Sequence, residues 1–132
     1  MIEQFTLSTS SRNQLIDITD TVSDYVQRSG VKSGMCLVYT PHTTAAITIN
    51  ENADPSVKSD IIRKLADIFP QKDNYDHSEG NSDAHLKSSV VGCSQSLLIE
   101  DGLLLLGTWQ GIYFCEFDGR RTRQFYVKVI SD

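Results

Sequence analysis

The stretch that decides the fold is SLLIEDGLLLLGTWQGIYFCEFDGRRTRQFYVKVI, residues 96–130. Four runs rich in Leu, Ile, Val and aromatic residues fill it, at 96–100, 103–107, 112–118 and 122–130. Each has the length and composition of a strand. Asp101-Gly102 and Asp118-Gly119 stand between runs, and an Asp-Gly step is a signal for a tight turn. In the last run Phe125, Val127 and Val129 share one face, because side chains alternate along a strand. Further toward the N-terminus, 2–7 and 14–18 read as strands separated by polar turn residues. Residues 35–40 and 45–50, rich in Val, Ile and Thr, read as strands flanking Pro41-His42-Thr43.

Helices interrupt this β-rich pattern. Within 19–28, Val22, Tyr25 and Val26 make an i, i+3, i+4 stripe, and Gly30 is placed to end it. Asp54-Pro55 opens the clearest helix, because Asp caps well and Pro fits the first helical position. Val57, Ile61, Leu65 and Ile68 form its apolar stripe, and Pro70 stops it. Residues 71–82 carry no periodicity and read as a loop. Ser82 or Asp83 is placed to cap a short helix running to residue 91 and ended by Gly92. The expectation is one α+β domain over 1–132, mainly antiparallel, with two or three helices.

Composition bounds the function. The chain has 132 residues, 39% hydrophobic and 22% charged, with a net charge of −5. Its one basic cluster, Arg120, Arg121 and Arg123, is too short for a nucleic-acid stripe but long enough to hold one phosphate. Neither nucleic acid nor an anionic membrane is the expected partner. The first residues, MIEQFTLSTSS, contain an acid and no apolar signal core. The longest apolar run, 103–106, is too short to span a bilayer. Cys36, Cys93 and Cys115 are odd in number and widely spaced, and each lies in or beside an apolar segment. They read as buried reduced thiols of a cytoplasmic protein, with a catalytic thiol the lesser reading because no low-pKa context surrounds any of them.

Candidate chemistry gathers in HSEGNSDAH, residues 77–85. Two of the three histidines sit there, His77 and His85, beside Asp76, Glu79 and Asp83. His42 would be a third arm from a strand end. Three imidazoles and a water make a catalytic type of zinc site, with Zn–N near ~2.0–2.1 Å. Glu79 or Asp83 would ligate or orient an imidazole. The plain alternative is surface histidines on a loop, with Asp83 only a helix cap. Thr43, Thr44 and Asn50 follow in HTTAAITINEN, where they face a ligand or are simply strand and turn residues; the latter carries more weight. Glu116 lies inside an apolar strand, where a carboxylate wants a cation or a proton unless it faces solvent. Arg121 and Arg123 alternate, so both reach one ligand or both are solvated strand-end charge.

HTTAAITINENADP (42–55), HSEGNSDAHLKSSVVGCS (77–94) and LGTWQGIYFCEFDG (106–119) together resemble the YjbQ family, also described as secondary thiamine-phosphate synthase-like proteins. The resemblance runs over nearly the whole chain, with the motif order retained. It implies a compact α+β fold with a β-sandwich-like core, a homotrimer and a histidine-containing pocket associated with a divalent metal, zinc first. On that basis His42, His77 and His85 are the expected metal ligands. Glu79, Asp83 and Glu116 are the expected catalytic groups. Thr43, Thr44, Asn50, Asn81, Lys87, Gln110, Arg121 and Arg123 are the expected contacts to a phosphorylated small molecule. The family commonly has DGPR where this chain has DGRR, so Arg120 replaces a proline and Arg121 matches the motif arginine.

The implied activity is the joining of a pyrimidine diphosphate to a thiazole phosphate with release of pyrophosphate. It is a candidate side activity, because the acidic metal-diphosphate pattern of a dedicated magnesium enzyme is absent. Two alternatives stand beside it. One is a zinc-dependent hydrolase with Glu79 or Glu116 as base. The other is a non-catalytic trimeric protein that binds metal or ligand.

Overall fold

A computed structural model describes residues 2–132. Five strands, β1 (Ile2–Ser8), β3 (Gly34–Tyr39), β5 (Ser94–Glu100), β6 (Leu103–Leu104) and β8 (Thr122–Ser131), form one sheet in the order β1-β8-β3-β5-β6. The other three, β2 (Gln14–Asp17), β4 (Ala45–Glu51) and β7 (Gln110–Glu116), form a second sheet in the order β2-β7-β4. Every neighbouring pair is antiparallel. The helices are α1 (Thr19–Ser29), α2 (Pro55–Ile68) and α3 (Ser82–Val91).

Alternation along the strands sets the layers. Cys36, Val38, Leu97, Ile99, Phe125 and Val127 point from the first sheet onto Ala45, Ile47, Ile112 and Phe114 of the second, and Ile18, Val22 and Val26 at α1 close that core. The other face of the second sheet presents Leu15, Ala46, Tyr113, Cys115 and Phe117. Ala84 and Val91 of α3 and Ile61, Ile62 and Leu65 of α2 cover it. β7 is therefore buried on both faces from Gly111 onward, and its middle, Ile112 to Cys115, reads as an unbroken apolar run for that reason. The expectation of an α+β fold with a sandwich-like core and two or three helices is met, with three helices.

Four details differ from the sequence reading. Asp101-Gly102 is a tight turn with both residues at positive φ, but Asp118-Gly119 is not a hairpin. The chain crosses there from the second sheet to the first, with the Gly119 N–H donating to Arg12 O at 3.0 Å and the Thr9 N–H donating to Arg121 O at 2.9 Å. The expected strand at 103–107 pairs only over Leu103–Leu104. Beyond it the chain turns, and Gln110 Oε1 accepts from the Gly107 N–H at 2.8 Å. α3 is capped by neither Ser82 nor Asp83. Asn81 holds the cap position, but its side-chain amide is committed elsewhere. Of the three cysteines, Cys36 and Cys115 are buried and Cys93 is exposed. No helix among the described residues is long and apolar enough to cross a membrane.

Candidate functional site

The β3–β4 connection, the loop before α3, the first turn of α3 and the β7–β8 crossing meet at one end of the sandwich. β8 runs on past the last β3 pair, Tyr39 with Tyr126. Just beyond it, Gln124 has its backbone free on that side. Its carbonyl accepts from Thr40 Oγ1 at 3.0 Å, and its N–H donates to His42 Nε2 at 2.9 Å. These two bonds fix the Pro41-His42-Thr43 loop against β8. Because Nε2 accepts a hydrogen bond, His42 is the neutral tautomer with its proton on Nδ1. Burial, then Arg123 and Arg121, hold this imidazole below its ordinary pKa, with Glu116 opposing.

A cleft of about 450 Å³ lies between these segments. His42, His77 and His85 line it together with Thr43, Thr44, Asn81, Arg121 and Arg123, and the acids on its wall are Glu79 and Asp118. His77 and His85 stand edge to face with ring centroids 5.4 Å apart. Glu79 Oε1 is 3.9 Å from His77 Nε2, and both side chains are well exposed. All three histidines thus share one cleft. Among the described residues, however, no three His, Cys, Asp or Glu side chains stand close enough to hold one metal ion. His42 also has Nε2 occupied by the Gln124 N–H. As they stand, the three imidazoles do not make a preformed three-ligand centre.

Behind the cleft lies a network of buried charge. Glu116, 0% exposed, accepts from Thr9 Oγ1 and Arg123 Nε, each at 2.8 Å, from Arg123 Nη2, and from the Asp118 N–H at 2.9 Å. Burial pushes its carboxyl upward. The bonds from Arg123, the Asp118 N–H and Thr9 outweigh that and hold it below the ordinary value. Arg123, only 4% exposed, also donates through Nη2 to Thr44 Oγ1 at 2.8 Å. Asp118 accepts from Asn81 Nδ2 at 2.8 Å, Arg121 Nη2 at 2.8 Å and Arg12 Nη1 at 3.3 Å. Asp83 is bridged by Arg12 at 3.0 Å and Lys87 at 3.1 Å, and Lys87 is 1% exposed.

The sequence candidates therefore divide. Thr43, Thr44, Asn81, Glu79, Arg121, Arg123 and the three histidines line the cleft. Asp83, Lys87 and Glu116 lie beneath it, in ion pairs that orient other groups. Asn50 and Gln110 are elsewhere: Asn50 Oδ1 accepts from the Glu51 N–H, and Gln110 closes its own turn. Arg12 and Asp118 were missed. Asp118 carried a turn signal and nothing more. Arg12 sits in a polar turn, and only the fold brings it 71 residues across the sequence to Asp83.

The chain matches the family described as UPF0047 protein YjbQ-like over residues 3–132. It is 57% identical to a UPF0047 protein of Methanocaldococcus jannaschii over 100% of this chain and 96% of that one. A crystal structure of a YjbQ/UPF0047 protein from Clostridium acetobutylicum superposes with a TM-score of 0.96 at 55% identity, covering 97% of this chain and 99% of that one. A Sulfolobus solfataricus structure, described as a YbjQ-like protein of unknown function, superposes with a TM-score of 0.96 at 32% identity, covering 100% and 97%. These names correct the expected activity. The relatives are known only as UPF0047 or YjbQ-like proteins, one expressly of unknown function, and they support neither thiamine-phosphate synthesis nor a metal-dependent reaction. With a match across its length and relatives well above 30% identity, this chain belongs to the YjbQ-like UPF0047 family.

Proposed function

We propose that the cleft binds a phosphorylated small molecule. The observation that carries this reading is the gathering of three imidazoles and two guanidiniums on one wall of a protein whose net charge is −5. Arg121 and Arg123 on that wall and Arg12 and Lys87 beneath it pair with Asp83, Glu116 and Asp118, so this ion-pair network holds one cation in excess, with Glu79 outside it at the exposed rim. Arg121 binds Asp118 through Nε and Nη2, which leaves its Nη1 edge for a ligand oxygen. The neutral His42 has an Nδ1–H to donate. Asn81 Oδ1 is buried without a hydrogen-bond partner among the described residues.

The expected divalent metal, zinc first, is proposed only for the His77–His85 pair, with no role in holding the phosphate. The expected homotrimer is likewise a proposal. Its support is a row of apolar side chains on the outer face of the first sheet, where exposed Leu98 and Ile130 flank Met35. Sedimentation velocity tests the trimer.

The binding reading is tested by titrating the protein with glycerol phosphate while following the imidazole resonances. His42, His77 and His85 shift together, and Arg121→Ala weakens binding about 10- to 100-fold, as loss of one charge-assisted hydrogen bond of roughly 1.5–3 kcal/mol requires. No shift in any imidazole would overturn the reading.

A further inference from the structure

A second cavity, of about 510 Å³, opens directly beside the charged cleft. The two share Pro41, His42, Thr43 and His85, so they are two lobes of one depression divided by a pair of imidazoles. Their chemistry is segregated. Every arginine and carboxylate lies in the first lobe. The second is closed by Tyr39, Ser88, Ser89 and Cys93, with no arginine, lysine or carboxylate among its lining residues. Two of its hydroxyls are turned away: Thr40 Oγ1 donates to Gln124 O at 3.0 Å, and Ser88 Oγ donates to Ala45 O at 2.6 Å. The Tyr39 ring packs at a tilt beside Tyr126, with centroids 6.3 Å apart, and keeps part of its surface exposed. Both volumes fall in the range of small-molecule sites, and a ligand filling only the charged lobe would leave the second unused.

We infer that the ligand is a phosphomonoester with an uncharged, weakly polar organic body, its phosphate in the arginine–histidine lobe and its body in the lobe of Tyr39, Ser89 and Cys93. This rests on the anion-binding reading above and deepens it. The body passes between His42 and His85 and meets the Tyr39 ring and the exposed faces of Ser89 and Cys93. Charge on the body is disfavoured, because the second lobe has no carboxylate, arginine or lysine to serve as counter-ion.

The test compares methyl phosphate with phenyl phosphate, which share the phosphate group and differ in the body. Calorimetry is expected to give at least tenfold tighter binding for phenyl phosphate. Ser89→Trp, which fills the second lobe, abolishes that advantage while methyl phosphate still binds. The wild-type chain supplies a reporter that needs no variant. Burial pushes the Cys36 and Cys115 thiols up to about 11 and about 12, so iodoacetamide labels exposed Cys93 first. Phenyl phosphate slows that labelling and methyl phosphate does not. Equal affinities with no protection of Cys93 would overturn the two-lobe inference and leave phosphate binding standing. Failure of both esters to bind would overturn the anion-binding reading and the inference with it.

Discussion

Replacing Glu116 by Gln removes the negative charge beneath the cleft and almost no volume. In the wild type each carboxylate oxygen accepts twice, Oε1 from Thr9 and Arg123 Nε, Oε2 from Arg123 Nη2 and the Asp118 N–H. A Gln amide must set its NH2 against Arg123 in either orientation, and on the Oε2 side against the Asp118 N–H as well. It also leaves the Arg123 guanidinium buried with no counter-ion. Removing one member of a buried pair costs about 3–5 kcal/mol. At roughly 2.1 cal/mol/K of unfolding entropy per residue, a 132-residue chain loses about 11–18 °C in Tm. Thermal unfolding followed by circular dichroism at neutral pH measures this. The folded Glu116 pKa is depressed, so its stabilising contribution is present above the unfolded value near 4.5 and is lost as pH falls through the folded one. The gap between wild type and Glu116→Gln therefore closes in acid. A loss below about 1 kcal/mol at neutral pH, about 4 °C, would mean that Glu116 is solvated rather than sealed against Arg123.

The His42 pKa is also depressed, but on a basic group the proton is taken up first by the unfolded chain. Its contribution is thus present above about 6.5 and declines as pH falls toward the folded midpoint. An imidazole titration by NMR is expected to place that midpoint below 6.5, and a midpoint above it would contradict the Gln124 bond. Gly119→Ala sets a Cβ 2.0 Å from Ser11 O and 3.0 Å from Glu116 Cγ, so the crossing must shift. A loss of about 1–3 kcal/mol is expected, and an unchanged urea midpoint would mean the two loops part freely. Zinc added to metal-stripped protein is expected to bind at the His77–His85 pair, to be lost in His85→Ala and to survive His42→Ala. Elemental analysis after gel filtration measures this, and loss in His42→Ala would restore the three-imidazole centre.

The fold was legible where local chemistry and tertiary packing agree. Asp54-Pro55 marks the start of α2, and Asp54 Oδ1 does accept from the Ser56 N–H at 2.9 Å. The period-2 face of Phe125, Val127 and Val129 is the buried face of β8. Legibility failed where a side chain serves a distant partner. Asn81, Asp83 and Lys87 look like ordinary polar residues at a helix start, yet all three are buried because Asp118, Arg12 and Asn13 come to meet them. Asp118-Gly119 carries the composition of a hairpin turn and instead crosses between sheets. The α2 stripe is visible in sequence, but no residue of α2 is fully buried and Ile68 is 65% exposed, which pattern alone does not foretell. The histidines were legible as a group because they are scarce. Which nitrogen each one offers depends on backbone brought in from β8.

The charged floor of the cleft also bears on how the chain reaches its native state. Thr9 and Glu116 are 107 residues apart in sequence, Arg12 and Asp118 106, and Arg12 and Asp83 71. Contacts of such separation form late and slowly. During synthesis Glu116 emerges seven residues ahead of its counter-ion Arg123, and β8 lies between β1 and β3 in its sheet. A chain halted before β8 therefore has a carboxylate without its Arg123 guanidinium and a sheet without the strand that joins β1 to β3. Such a fragment lacks the strand and the guanidinium that seal the floor of the cleft, so the cleft is expected to assemble only once β8 has joined the sheet.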